Sequence, residues 1–285
     1  MSLMVTALLS AAVVLGYLLA IRWLDRYERE PLWAVPAIFV LGALVSVLVA
    51  TIGYRLVDYF AAYTGVEVSH EVGAQVVAPV LEEFAKGAVI LLAMGTALLD
   101  LPVDFLKQFD NETDGLVYGA AAGLGFALIE NTGRYWSAQW LLWTPPGFVE
   151  QLAIGRTFLS TLVHSTATAL IGMGIGYARY TNDWRTWVAA VGEGYGLAIV
   201  VHALFNTLVG GPDFTLSSVI LVVSASALLF VLTQHCLQKE HATIRRILAD
   251  EARRGTLPEA HAEILPYWRR RFGHRWLDEE VPKDE

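Results

Sequence analysis

Apolar residues in this chain are gathered into long runs that short polar stretches separate. Seven of these runs hold roughly 20 mostly apolar residues, the length that an α-helix needs to cross the hydrocarbon core of a bilayer. They lie at about 3–21, 32–52, 72–98, 114–131, 155–180, 187–210 and 214–236. The pattern predicts an all-α, polytopic membrane helix bundle with seven transmembrane helices. An eighth span, within 53–64 or 132–150, is the alternative.

Several local signals refine this picture. The amphipathic segment TIGYRLVDYF at 51–60 extends the second helix, and Asp114 is an N-cap candidate for the fourth. The fourth helix has an extension beyond 131 as an alternative. The glycine-rich runs GAAAGLG at 119–125 and GMGIG at 172–176 favour close helix packing over phosphate loops.

Composition supports a membrane protein and excludes other classes. Hydrophobic residues make up 55% of the chain and charged residues 17%, whereas soluble domains carry about 25% charged residues. The single cysteine, Cys236, excludes an intrachain disulfide framework and a CxxC-type metal site. The chain has no basic stripe of the kind that binds nucleic acid, so no nucleic-acid partner is expected. Its apolar composition instead predicts that a lipid bilayer surrounds it.

Lysine and arginine lie mainly in alternate connections between the predicted helices, which predicts an orientation. The connections after the first, third and fifth helices hold Arg22, Arg26, Arg29, Lys107, Arg179 and Arg185. The N-terminus is therefore predicted outside the cell and the tail in the cytoplasm. The predicted division is a transmembrane domain over 1–236 and a polar, partly helical tail over 237–285.

Ionisable and amide side chains interrupt four of the predicted spans. Each ionisable group costs at least about 2.5 kcal/mol at the bilayer centre, so such groups usually face a bundle interior or a wet cavity. They are Glu82, Glu83 and Lys86 in the third helix, Glu130 and Asn131 in the fourth, Arg156 and His164 in the fifth, and His202 and Asn206 in the sixth. At 1.5 Å per residue, most of them fall at one depth in the outer half of the membrane.

Each of these residues has a structural interpretation when it is taken alone. Lys86 lies four residues after Glu82 and three after Glu83, so it can form a buried ion pair with either glutamate. A histidine or asparagine in a spanning helix often bonds only to a neighbouring helix, and Arg156 can extend to the membrane surface. Taken together, two acids, two histidines and an asparagine at one depth are suited to activating water and stabilising an oxyanion. A transporter or proton relay and a non-catalytic, immunity-type scaffold are the alternatives.

Four motifs in this order resemble the PrsW family of bacterial intramembrane proteases, which is similar to the CAAX prenyl proteases. They are EExxK at 82–86, FxxxEN from Phe126 to Asn131, Arg156 with His164, and HxxxN at 202–206. The resemblance covers about residues 30–235. It implies a peptide hydrolase of the bacterial inner membrane that cleaves a single-span membrane protein, by analogy an anti-sigma factor.

The resemblance also implies roles for individual residues. Glu82 would be the general base, supported by Glu83, and Lys86 would keep both glutamates charged and oriented. His202 and Asn206 would stabilise the oxyanion, with Glu130 or His164 as the partner of the base. Phe126, Asn131 and Arg156 would support the site. Zinc held by these Glu and His side chains remains open, although the absence of HExxH spacing slightly favours a metal-free mechanism.

Overall fold

A computed structural model describes residues 3–24, 33–98, 109, 111–139, 156–209 and 216–267. This part of the chain forms eight helices and no strand. The helices are α1 (Leu3–Leu24), α2 (Ala34–Thr64), α3 (70–98), α4 (Glu112–Gln139), α5 (156–178), α6 (Trp184–Val209), α7 (Leu216–Arg253) and the short α8 (Glu259–Ile264). Each of the seven predicted apolar runs lies largely within one of α1 to α7.

Four helices of the described part, α2, α5, α6 and α7, are long and apolar enough to cross a membrane. A shorter apolar stretch, Ala7–Trp23, lies in α1. The chain is therefore an all-α integral membrane protein, as predicted. The number of spans and the orientation of the termini stay predictions. The last long helix, α7, runs through the predicted boundary at 236 without a break.

Helix ends depart from the sequence-based prediction at one point and agree at others. The helix α4 begins at Glu112, and Asn111 caps it by accepting hydrogen bonds from the backbone N–H groups of Thr113 and Asp114. Asp114 instead accepts from the backbone N–H of Asn111, so its prediction as the N-cap was wrong. The two residues form a reciprocal capping arrangement. The predicted extension of α2 is confirmed, because the helix continues to Gly65, whose positive φ of 70° ends it.

The helix α4 packs against α1, α2, α3, α5 and α7, which places it at the centre of the bundle. Glycines bring it close to α5, as predicted: a methyl group added at Gly123 would lie 2.2 Å from the carbonyl oxygen of His164. The most apolar 18-residue stretch of α5 is 78% buried, whereas the corresponding stretch of α7 is only 22% buried. The core includes Ile38, Ile90, Tyr118, Ile171 and Ala198.

Three of the described helices contain a π-helical turn, which is a single wider turn that often marks functional sites. These turns span Gly42–Ser46 in α2, Gly73–Val77 in α3 and Arg156–Ser160 in α5. Two of them immediately precede the segments that carry Glu82 and His164. The elements that hold the predicted site are thus irregular within about two turns of it.

Candidate active site

Three charged side chains of α3 are buried at the centre of the bundle. Glu82, Glu83 and Lys86 are 3%, 0% and 0% exposed. Apolar residues flank them in the sequence of α3, and Phe126 of α4 and His164 of α5 contact Lys86. Burial at this level requires that each charge has a partner.

Glu83 is the most fully bonded of these groups. Its Oε1 accepts hydrogen bonds from Lys86 Nζ at 2.5 Å and from His202 Nδ1 at 2.8 Å, and its Oε2 accepts from Thr168 Oγ1 at 3.2 Å. The carboxylate therefore joins α3, α5 and α6. Because His202 donates its Nδ1 proton to Glu83, its Nε2 carries a lone pair in the neutral form.

Glu82 has one bonded and one open carboxylate oxygen. Tyr54 of α2 donates its hydroxyl to Oε1 at 2.6 Å. The buried Oε2 receives no hydrogen bond from the described residues and lies 3.7 Å from His202 Nε2. Two acceptor atoms thus face one another across a gap that is too long for a hydrogen bond. Lys86, which the sequence allowed to pair with either glutamate, pairs here with Glu83.

His164 lies between the lysine and a third carboxylate. Lys86 has only donor hydrogens, so His164 Nδ1 accepts from Nζ at 2.8 Å and its ring proton resides on Nε2. That Nε2 lies 2.7 Å from Oε2 of Glu130, whose side chain is 14% exposed. The ring packs edge-on against His202, with centroids 4.7 Å apart. Phe126 packs against the ring of His164 and beneath Lys86.

The structure thus brings seven of the ten sequence-predicted residues into one cluster, which we call the carboxylate–histidine cluster. Its members are Glu82, Glu83, Lys86, Phe126, Glu130, His164 and His202. Asn206 instead donates to the carbonyl oxygen of Ala74, in the π-helical turn of α3, at 2.9 Å. Asn131 donates to Thr161 Oγ1 at 3.2 Å and joins α4 to α5. The side chain of Arg156 lies outside the described residues.

Sequence reasoning missed two residues that donate hydrogen bonds to the cluster, Tyr54 and Thr168. Thr168 follows His164 by four residues, so helical spacing places both on one face, and this signal was available in the sequence. Tyr54 lies in α2, far from every motif in the chain, and no spacing relates it to Glu82. Only the packing of α2 against α3 reveals its contact.

The cluster also has the donor set of a catalytic metal site. Glu82, His164 and His202 each offer one ligand atom, and these three atoms lie within 4.8 Å of one another. One carboxylate and two imidazoles form a common zinc set that leaves a position open for water. The open Oε2 of Glu82 and the lone pair of His202 Nε2 fit this use, whereas His164 would have to exchange its contact with Glu130. Because neutral His202 carries its proton on Nδ1, its Nε2 is suited to bind a metal. It is not suited to donate a hydrogen bond to an oxyanion, which is the role that the resemblance implied.

Comparison with known proteins identifies the family of this chain. Residues 30–233 match the family model described as "PrsW family intramembrane metalloprotease". Protease PrsW of Geobacillus kaustophilus is 30% identical over 204 residues, which cover 71% of this chain and 79% of the relative. Protease PrsW of Shouchella clausii is 29% identical over 217 residues, covering 76% and 84%, and that of Bacillus subtilis is 27% identical over 226, covering 74% and 84%. No solved structure matches the chain.

The family description bears on the metal question. It names a metalloprotease, so it favours the metal-dependent alternative over the metal-free mechanism that the sequence slightly favoured. With a family match over most of its length and a buried cluster of hydrolytic residue types, the chain belongs to the PrsW family and is an intramembrane protease.

Proposed function

We propose that the carboxylate–histidine cluster hydrolyses a peptide bond in or beside the membrane span of a single-span protein. The observation that carries this proposal is the open Oε2 of Glu82, which shares one buried space with His164 and His202. A buried carboxylate oxygen that receives no hydrogen bond from the described residues destabilises the fold, so its presence requires a functional explanation. Access to water or to a metal supplies one.

Glu82, His164 and His202 would hold a divalent metal of the zinc type, which when bound supplies a Lewis acid that activates water and polarises a carbonyl. Tyr54 fixes Oε1 of Glu82, so Oε2 keeps its direction without a change of rotamer. Glu83 likewise orients His202, because it accepts the hydrogen bond from Nδ1, as carboxylates do behind histidines that bind metals.

Glu130 is the proton acceptor in this proposal. Its Oε2 lies 2.7 Å from His164 Nε2, and its side chain keeps some exposure, so water can reach it. Glu130 takes one proton from the attacking water, the water oxygen bonds to the carbonyl carbon, and the proton passes to the leaving amine as the C–N bond breaks. If no metal is bound, Glu82 Oε2 is the competing proton acceptor.

The same proposal assigns the chain to the bacterial inner membrane, with its N-terminus outside and seven spans. The alternation of Lys and Arg between connections supports this orientation. It puts the cluster in the outer half of the membrane. Substrate must unwind there, because a helix in lipid has all its backbone groups bonded and offers no free carbonyl.

Three variants test the assignment. Membrane proteomes from cells that carry wild-type or Glu82→Gln protein are compared for a truncated single-span protein, and the cleavage is then repeated with purified components. We expect Glu82→Gln to lose both cleavage and bound metal, and Glu130→Gln to lose cleavage but keep metal. Glu71→Gln, an exposed change in the same helix α3 as Glu82, is the matched control and should cleave normally.

Two outcomes would overturn parts of this proposal. Cleavage that persists in both Glu82→Gln and Glu130→Gln would remove the cluster from the reaction. Full activity in protein that elemental analysis shows to be free of metal would exclude the metal-dependent form and return the role of base to Glu82.

A further inference from the structure

A groove of about 940 Å³ lies between the C-terminal part of α2 and the beginning of α3. The two helices are joined by the short connection 65–69 and diverge to form its walls. Its lining includes Tyr54, Asp58, Glu67, His70 and Ala74. We call it the α2–α3 groove. Most of its lining is small or apolar, which suits an extended peptide.

The groove leads to the carboxylate–histidine cluster by two direct contacts. Tyr54 lines the groove and donates its hydroxyl to Glu82. Ala74 lines it as well, and its carbonyl accepts the amide of Asn206, one helical turn from His202. A chain that occupies the groove therefore touches residues that bond directly to the candidate active site or to its neighbour.

Two carboxylates of the groove lining form no ion pair in the described part of the chain. Asp58 and Glu67 are exposed side chains of its lining, and neither forms an ion pair with another described residue. Among the lining residues there is no Lys or Arg. Two exposed carboxylates without an ion-pair partner, at the wall of an apolar groove, favour an occupant with basic side chains.

Aromatic side chains mark the level of the groove in the membrane. Tyr59, Phe60 and Tyr63 of α2 are 69%, 67% and 79% exposed, and Tyr59 stacks on Tyr63. Exposed aromatic residues at the end of a spanning helix are typical of the interface between lipid and water. The groove then lies where a spanning segment of another protein leaves the hydrocarbon core.

We propose that the α2–α3 groove binds the juxtamembrane segment of the substrate in extended form, and that Asp58 and Glu67 select Lys or Arg in that segment. This inference rests on the proposed function. Membrane proteins have few Lys and Arg residues in short external loops, but this bias does not apply to large translocated domains. A substrate with a large external domain can therefore carry basic residues at the level of the groove. The groove thus gives the protease a preference for basic flanks that the cluster itself does not contain.

The test measures binding apart from hydrolysis. Two fluorescent peptides with the same 20-residue Leu/Ala span carry either three lysines or three glutamates at the flank that meets the groove. Binding to full-length Glu82→Gln protein in nanodiscs is followed by anisotropy, so that cleavage does not interfere. We expect about three- to tenfold tighter binding of the lysine-flanked peptide, as two exposed ion pairs allow, and a smaller preference at high salt.

The double variant Asp58→Lys/Glu67→Lys should reverse this preference, and Asp58→Asn/Glu67→Gln should abolish it. Glu71→Lys, which is exposed near the groove but does not line it, is the control and should leave the preference intact. Equal binding of the two peptides to the parent protein would overturn the proposal. A reversal by Glu71→Lys as large as that by the double variant would also overturn it. Cleavage that persists in Glu82→Gln and Glu130→Gln, with the charge preference intact, would instead contradict the proposed function alone.

Discussion

Two lysine–glutamate ion pairs in this protein have similar lengths and opposite surroundings. Lys86 and Glu83 are 2.5 Å apart, with both side chains 0% exposed. Lys239 of α7 and Glu112 of α4 are 2.8 Å apart, with side chains 51% and 21% exposed. Distance alone does not distinguish them, so their difference must lie in solvent and in further partners.

The buried pair is part of a network, whereas the exposed pair mainly joins two helices. Glu83 also bonds to His202 and Thr168, and Lys86 also bonds to His164. Removing one member therefore leaves other charged or polar groups without a partner in a medium of low dielectric constant. Water can replace either member of the exposed pair at little cost. Burial, not contact length, decides how much each pair matters.

The largest expected effect is the loss of protein stability when the buried pair is broken. Lys86→Met should lower the free energy of unfolding by about 3–5 kcal/mol, because Glu83 loses its counter-ion. The matched change Lys239→Met should cost no more than about 1 kcal/mol. Thermal unfolding of both variants in detergent, followed by circular dichroism, measures the difference. Equal losses in the two variants would contradict the contrast drawn here.

A smaller loss is expected where α4 packs against His164, the second hydrogen-bond partner of Lys86. A methyl group in Gly123→Ala would press on the carbonyl of His164, so α4 and α5 must move apart. Overpacking of this kind costs about 1–3 kcal/mol. Gly196→Ala in α6, where a methyl group meets nothing within 4 Å, is the control and should be neutral or stabilising. Both are read from unfolding in the same detergent.

The hydroxyl of Tyr54 is expected to act on function more than on stability. Tyr54→Phe releases Oε1 of Glu82 and should lower kcat/KM and metal affinity by about 10–100-fold, as loss of a hydrogen-bond partner of a metal ligand does. Tyr195→Phe is the matched control, because its buried hydroxyl has no hydrogen-bond partner in the described part of the chain. Zinc competition titration and cleavage assays give the two readouts. Similar losses in both variants would reduce Tyr54 to a packing role.

The smallest effect extends the contrast to a carboxylate in open solvent. Hydrogen bonds from the Thr186 side chain, and from the backbone N–H groups of Arg185 and Thr186, lower the pKa of Asp183 before α6. Its charge therefore stabilises the fold above its usual pKa, and this contribution disappears as pH falls through the lowered value. Asp183→Asn should be slightly less stable than wild type at pH 7 and equal to it in strong acid. Unfolding curves at both pH values check the sign.

The sequence predicted the helices well because long apolar runs in a membrane protein leave the backbone few alternatives. It also identified Glu82, Glu83, Lys86, His164 and His202, because buried charges are costly and stand out against leucine and valine. What it could not reach were contacts between helices that no spacing relates. The bond from Tyr54 to Glu82 and the choice of Glu83 over Glu82 by Lys86 depend on how α2, α3 and α5 meet.

The N-cap of α4 was predicted wrongly because it depends on local hydrogen bonds between side chains and backbone. Asn111 and Asp114 both have side chains that cap helices, and their order in the chain does not say which comes first. The amide of Asn206 shows the same limit for the site. Its spacing from His202 correctly places both residues on one face of α6. The amide of Asn206 nevertheless donates to the carbonyl oxygen of Ala74, in the π-helical turn of α3.

The π-helical turns have a consequence for how relatives of this protein are aligned. Each wider turn accommodates one residue more than a regular turn would. A relative that lacks one residue within 73–77 can therefore form an ordinary turn there and keep Glu82 facing His202. The same deletion within 82–86 has no such outlet and would rotate the lysine by about 100° away from its glutamate. Single-residue gaps should thus be placed inside these turns and not inside the charged motif.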